Sequence, residues 1–252
     1  MSMRMVGMAV AGLALAGALP AGAAEASVDV GVLSKYVWRG QVLNDEAVAQ
    51  PSISLQAESG LYVNTWGNFD LTDNTVDADG NDASGEFTEL DLTVSYIPKL
   101  EGPVALEVGV IQYTFPFAGA ATREAYAIVG AGDLPLAPEV AVYYDFDDIE
   151  GAYVSLGGSH SFELAEGLTL DLAGSVGYGT SDYNEGYFGL DDSALNDVTL
   201  TAGLGFALSE TVSLKASVQY MVLPDDDLAD AAEETFGDDS AVVAGVTASY
   251  SF

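Results

Sequence analysis

Cysteine is absent from all 252 residues. That excludes disulfides, thiolate metal centres and cysteine nucleophiles. Basic residues are scarce: 6 Lys and Arg stand against 39 Asp and Glu, a formal charge of −33. So acidic a chain repels phosphates, which excludes nucleic acid as a partner. The lone His, His160, lies beside Ser159 and Ser161 near a turn. A Ser–His hydrolase would need it beside a hydroxyl at the lipid-facing rim. No Gly-rich phosphate loop, zinc cluster or glycosidase-like carboxylate pair accompanies it, so the chain reads as a non-enzyme.

Long apolar runs are also missing, except at the N-terminus. Arg4, the apolar stretch Val6–Leu19, Pro20 and the small residues Ala21-Gly22-Ala23-Ala24 have the layout of a secretory leader. Residues 1–24 are set aside as that signal peptide, leaving 25–252 as one domain with 5 bases against 39 acids, a net −34. No later stretch would cross a bilayer as a helix, so a membrane-bound mature chain must be a closed barrel.

What is present is period-two alternation. In Leu61–Leu71, Leu61, Val63, Thr65, Phe69 and Leu71 fall on one face and Tyr62, Asn64, Trp66, Asn68 and Asp70 on the other. Leu90, Leu92, Val94 and Tyr96 likewise oppose Glu89, Asp91, Thr93 and Ser95, and Val140, Val142, Tyr144 and Phe146 share one face. A first strand from Val28 through Arg39 places Val28, Val30, Val32, Tyr36 and Trp38 on the apolar face, with Lys35 and Arg39 on the other. In Thr122–Ala131, Tyr126 and Ile128 read as outward and Arg123, Ala125 and Ala127 as inward. A phase slip near Ile111-Gln112-Tyr113 predicts a β-bulge. Aromatic rings near strand ends suit a membrane–water boundary.

Tight turns alternate with longer, Asp-rich loops, and about twelve strands result, an even number. The reading is all-β: a transmembrane antiparallel up-and-down β-barrel. Asp227–Phe236, in the most acidic loop, has helical character. The C-terminal Phe252 closes a run that resembles the terminal strand of bacterial outer-membrane proteins, whose aromatic end is recognised by the barrel assembly machinery.

Specific segments carry a family resemblance. They are Val30-Gly31-Val32-Leu33-Ser34-Lys35-Tyr36-Val37-Trp38-Arg39-Gly40, Gln50-Pro51, Gly60 through Asn68, Thr88-Glu89-Leu90-Asp91-Leu92, Val108 through Tyr113, and Glu124-Ala125-Tyr126. Together they resemble the TorF family of porin-like proteins of Gram-negative bacteria. The chain departs from the pattern in its acidic loops at Asp73–Gly85 and Asp225–Asp239. The resemblance implies an outer-membrane barrel with a pore function.

Candidate pore-lining residues are Lys35, Arg39, Asn64, Trp66, Asp70, Glu89, Asp91, Glu107, Arg123, Asp145, Asp171 and Lys215. Opposed charges across a lumen orient polar solutes and set ion selectivity; the same groups, paired, would instead plug a narrow barrel. Small lumen residues favour a narrow pore. Trp66 and Tyr62 offer stacking surfaces for a sugar or aromatic solute. No cofactor is required, although Asp77, Asp79, Asn81 and Asp82 present hard oxygens suited to Ca²⁺. Expected partners are outer-membrane lipid, lipopolysaccharide bridged by divalent cations, and small solutes. The leading expectation is a channel for passive diffusion of small polar solutes or ions; the alternative is a non-conducting barrel acting as scaffold or binder through acidic extracellular loops.

Overall fold

The computed structural model describes residues 24–76 and 82–252. Twelve antiparallel strands close into a barrel, each joined to its sequence neighbour. They are β1 (Ala24–Leu33), β4 (Val48–Ala57), β5 (Leu61–Asp70), β6 (Phe87–Tyr96), β7 (Ala105–Phe115), β8 (Ala120–Gly130), β9 (Glu139–Asp145), β10 (Ala152–Ala165), β11 (Leu168–Gly179), β12 (Ala194–Ala207), β13 (Val212–Val222) and β14 (Ser240–Ser251). β1 closes the ring on β14, with Val28 opposite Tyr250 and Val32 opposite Val246. Residues 1–23 of the expected leader lie outside the described residues, and its last residue, Ala24, pairs with Ala57 at the start of β1.

The wall is one layer thick, so its two faces have opposite chemistry. Val30, Val32, Leu90, Leu92, Val94, Val140, Val142, Leu156, Leu200, Val218 and Val246 are all exposed on the outside. Most lie between inward residues that are polar or small, as the two-residue period demands; Val32 is flanked by Leu33, which packs on the interior cluster of Tyr36, Val48 and Trp66. Water does not stabilise such a continuous apolar belt; lipid does. Aromatic side chains edge it at both ends. Tyr144, Phe146, Tyr178 and Tyr220 ring the long-loop end, and Tyr96, Phe162, Phe206, Tyr250 and Phe252 the short-turn end.

Four elements are not part of the wall. β2 (Tyr36–Trp38) and β3 (Gln41–Asn44) form a separate hairpin between β1 and β4. α1 (Ser181–Phe188) and α2 (Asp226–Phe236) lie in the last two long loops. Each helix has sequence-encoded ends. The Asp225 carboxylate accepts a hydrogen bond from the Leu228 N–H at 3.1 Å, and Gly237 ends α2 at φ 85°. Asp226 and Asp227 sit in its first turn, where the helix dipole favours negative charge. Thr180 and Gly189 cap α1 in the same way. The helical reading of Asp227–Phe236 therefore holds to within one residue, whereas α1 replaces an expected plain loop.

The expected continuous strand from Val28 through Arg39 breaks at Ser34-Lys35. The chain turns into the barrel there, so Tyr36 and Trp38 are interior side chains and not lipid-facing ones. The anticipated bulge at Ile111–Tyr113 is absent: β7 pairs with β8 in unbroken register from Ala105–Gly130 to Phe115–Ala120. The apparent slip arises from side-chain type alone, with apolar Ile111 facing inward and polar Gln112 outward. The register shifts instead at Asn68/Phe69, Glu163/Ala165 and Val176/Tyr178.

Candidate functional site: a plugged lumen

The β2–β3 hairpin turns at Arg39-Gly40. Both residues have positive φ, 45° and 87°, the requirement of a two-residue type I′ turn. Gly40 is needed twice over: a Cβ there would lie 2.6 Å from Leu223 Cδ2. Arg39 takes the costlier left-handed conformation because its side chain has a destination. Its guanidinium donates to both oxygens of Glu124, at 2.7 and 2.9 Å. The two side chains are 7% and 1% exposed. Trp38, Tyr143 and Tyr153 present ring faces to the same guanidinium carbon at 4.5, 4.0 and 4.8 Å. Tyr113 OH donates to Glu124 at 2.8 Å, completing the acceptor's shell. Burial opposes charge on Arg39, but the Glu124 carboxylate, its hydrogen bonds and the nearby Tyr113 and Tyr183 together outweigh it and hold the guanidinium pKa above its ordinary value.

A second anchor lies toward β5 and β6. The Tyr36 ring sits 5.4 Å from that of Trp66, and its hydroxyl donates to Glu89 at 2.8 Å. Burial, followed by the charges of Glu89 and Asp91, raises the Tyr36 pKa well above its ordinary value near 10. A third ties the hairpin's return strand to the wall, where Asn44 donates to Asp70 at 2.9 Å. Behind the hairpin, Val42 joins a buried apolar cluster with Tyr183 and Phe188 of α1, Leu228 and Ala232 of α2, and Met221, Leu223 and Ala241 at the strand ends. The long-loop half of the barrel is thus filled by hairpin and helices. The short-turn half is lined by small and polar inward residues, among them Thr169, Gly203, Gly205, Ser217 and Thr247.

Of the residues expected to line a pore, Arg39, Asn64, Trp66, Asp70, Glu89, Asp91, Glu107, Asp145, Asp171 and Lys215 face the interior. Asp171 and Lys215 pair at 3.3 Å in the short-turn half. Asp145 caps its own loop, accepting from the Asp147 and Asp148 N–H groups and from Thr122. Two residues require correction. Arg123 points outward, half exposed, bonded to Gln112 and Asp147 at the barrel's rim. The phase of β8 is the reverse of that expected, because Thr122, Glu124 and Tyr126 are the buried set and small alanines occupy the lipid face. Lys35 sits at the rim beside Asp238, 3.3 Å away. Trp66 is packed under Tyr36 and is no open stacking platform. Of the proposed calcium residues, Asp77, Asp79 and Asn81 lie outside the described residues, and Asp82 accepts from the Ser84 N–H. Reading β8 in the wrong phase concealed Glu124, and with it the Arg39 anchor.

A family model described as a bacterial protein of unknown function (Gcw_chp) matches residues 17–249. The chain belongs to the Gcw_chp family. No curated protein matches it. Among solved structures it is similar to the NanC porin, with 13% identity, TM-score 0.53, and coverage of 89% of this chain and 98% of that one. The KdgM porin gives 13% identity and TM-score 0.54, covering 90% and 99%. A KdgM porin in complex with disordered oligogalacturonate gives 13% identity and TM-score 0.52, with the same coverage. At such identity these likenesses establish the twelve-stranded barrel fold shared across nearly the whole chain.

Proposed function

We propose that the chain is an outer-membrane channel for small cationic or polar solutes, closed in this conformation by the β2–β3 hairpin. The carrying observation is the division of labour inside the barrel. One half is lined by small polar residues, while the other is filled by a separate hairpin held at a few identifiable contacts. A barrel serving only as a scaffold has no need of a detachable plug built on a strained Arg39. The barrel fold shared with the NanC and KdgM porins supports the same reading.

Charge sets the expected selectivity. Asp70, Glu89, Asp91, Glu124, Asp145 and Asp197 are buried in the interior, and Arg39 is the cation within hydrogen-bonding reach of one of them. An excess of fixed negative charge raises local cation concentration and rejects anions. An acidic oligosaccharide of the kind bound to KdgM would be disfavoured here. Planar-bilayer recording tests this reading. The expected result is rare or small openings for the native chain, larger openings once the hairpin is removed, and a reversal potential in a KCl gradient that marks cation preference. A barrel silent in both forms would overturn it. The second reading, a non-conducting barrel, is favoured by the apolar cluster of α1 and α2, and that silence would be its signature.

A further inference from the structure

The buried carboxylates differ in how well they are satisfied. Glu124 has Arg39 and Tyr113. Asp70 accepts from Asn44, Asn68 and Thr88. Asp145 has the donors given above, and Asp197 has Tyr153 and Thr199. Asp91 is the exception: it is 6% exposed, and its Oδ1 has no hydrogen-bond partner. Glu89, two residues away on the same inward face, receives the Tyr36 hydroxyl.

A second unpartnered oxygen lies beside this pair. Asn64 is 1% exposed. Its Nδ2 donates to Ser54 Oγ at 2.9 Å, while its Oδ1 has no partner. In the β5–β6 ladder Asn64 opposes Thr93 and Trp66 opposes Asp91, so Asn64 and Asp91 are diagonal neighbours on one face. A buried acceptor left empty costs about 1–3 kcal/mol, and more when charged. Two such oxygens lie on adjacent strands of one inward face beside a second carboxylate, and the Arg39 guanidinium is engaged by Glu124.

We propose that Asn64, Asp91 and Glu89 hold a single hard divalent cation of calcium size. The donor set is oxygen only, which suits Ca²⁺ and excludes soft metals. Two carboxylates balance a double positive charge, and a neutral amide oxygen is an ordinary calcium ligand. Mg²⁺ fits less well, since it demands near-octahedral geometry and sheds water reluctantly. The site lies beside the base of the hairpin, where Tyr36 contacts both Glu89 and Trp66. The inference deepens the channel reading, on which its place along a cation path rests; occupancy itself requires no conduction.

Terbium luminescence tests it. The chain has 2 Trp, Trp38 and Trp66, and Trp66 lies on the site's own face opposite Asp91. Chelator-stripped protein folded in detergent is titrated with Tb³⁺ under tryptophan excitation, then with Ca²⁺ as competitor. The expected result is sensitised emission that Ca²⁺ displaces and Trp66→Phe strongly reduces. Asp91→Asn and Glu89→Gln should each weaken binding by roughly tenfold or more, since affinity follows the charge of the ligand set. Glu210→Gln, in the exposed turn between β12 and β13, should change nothing. Heat-modifiable gel migration shows that each variant is folded, and Asn64→Ala supplies a third variant should a carboxylate change prevent folding. Wild-type affinity in folded Asp91→Asn, or emission that Ca²⁺ does not displace, would overturn the site. A silent barrel that still binds Tb³⁺ through Asp91 defeats the channel and leaves the site standing; a conducting barrel without such binding defeats the site alone.

Discussion

Arg39 and Glu124 are 85 positions apart in the chain and meet in a two-pronged ion pair inside the barrel. The pair locks the hairpin tip to β8. Removing one partner of a buried pair strands the other charge, at a cost of about 3–5 kcal/mol. Arg39→Ala should therefore lower thermal stability and raise channel opening together. The double change Arg39→Ala with Glu124→Ala should recover part of the stability but keep the opening. Thermal melts and bilayer recordings of the three variants check this; additive losses would mean the pair does not couple hairpin to wall.

The same hairpin should respond to alkali. The Tyr36 pKa is raised, so the neutral hydroxyl is favoured in the folded chain. Its contribution is complete below the ordinary tyrosine value and is lost as pH rises through the elevated one. Neutral and mildly basic solutions should leave the plug in place, with release confined to strongly alkaline pH. Following tyrosinate absorbance alongside conductance, and repeating with Tyr36→Phe, measures it. Opening near neutrality in the native chain but not in Tyr36→Phe would reverse the sign.

Deleting Asp225–Asp239 looks harmless if that segment is a free acidic loop. It is not free, because Leu228 and Ala232 of α2 are fully buried against the strand ends. Leu228→Ala alone should cost about 2–5 kcal/mol, the usual range for a leucine truncated in a packed core. Chemical denaturation in detergent would show the loss, and a change under 1 kcal/mol would indicate that α2 is not a packed cap.

Gly151 has a similarly specific role. A Cβ at this position would stand 2.3 Å from the Tyr183 backbone nitrogen. Backbone atoms cannot rotate aside as a side-chain tip can. Gly151→Ala should displace α1 from the barrel end and increase proteolysis within 180–193, whereas Gly189→Ala should strain only the helix cap. Equal protease resistance in Gly151→Ala and the native chain would refute the contact.

On the outer face, Leu92 lies midway along β6 and is 43% exposed. Leu92→Arg should cost about 2–4 kcal/mol in a bilayer, the depth-dependent penalty for a charge facing lipid. Ser217→Arg, on an inward face, should fold normally. Refolding yields into vesicles separate the two, and equal yields would contradict the assigned faces.

The wall was legible from pattern because a single-layer barrel gives each strand residue one of two environments. Leu90, Leu92 and Val94 against Glu89, Asp91 and Thr93 state that choice directly. β8 misled because its lipid face is built of alanines and its inner face carries Tyr126, so hydrophobicity does not distinguish the sides. Arg39-Gly40 was a faint turn signal, since Arg seldom occupies a left-handed position.

Period-two alternation and the lack of any later helix-length apolar run thus determined by themselves that this chain forms a lipid-facing cylinder. Only the tertiary structure decided that the cylinder is stoppered. Strand faces are set by neighbours one or two residues away, whereas the plug depends on pairs such as Arg39–Glu124 and Tyr36–Glu89, whose partners come together only after the ring has closed.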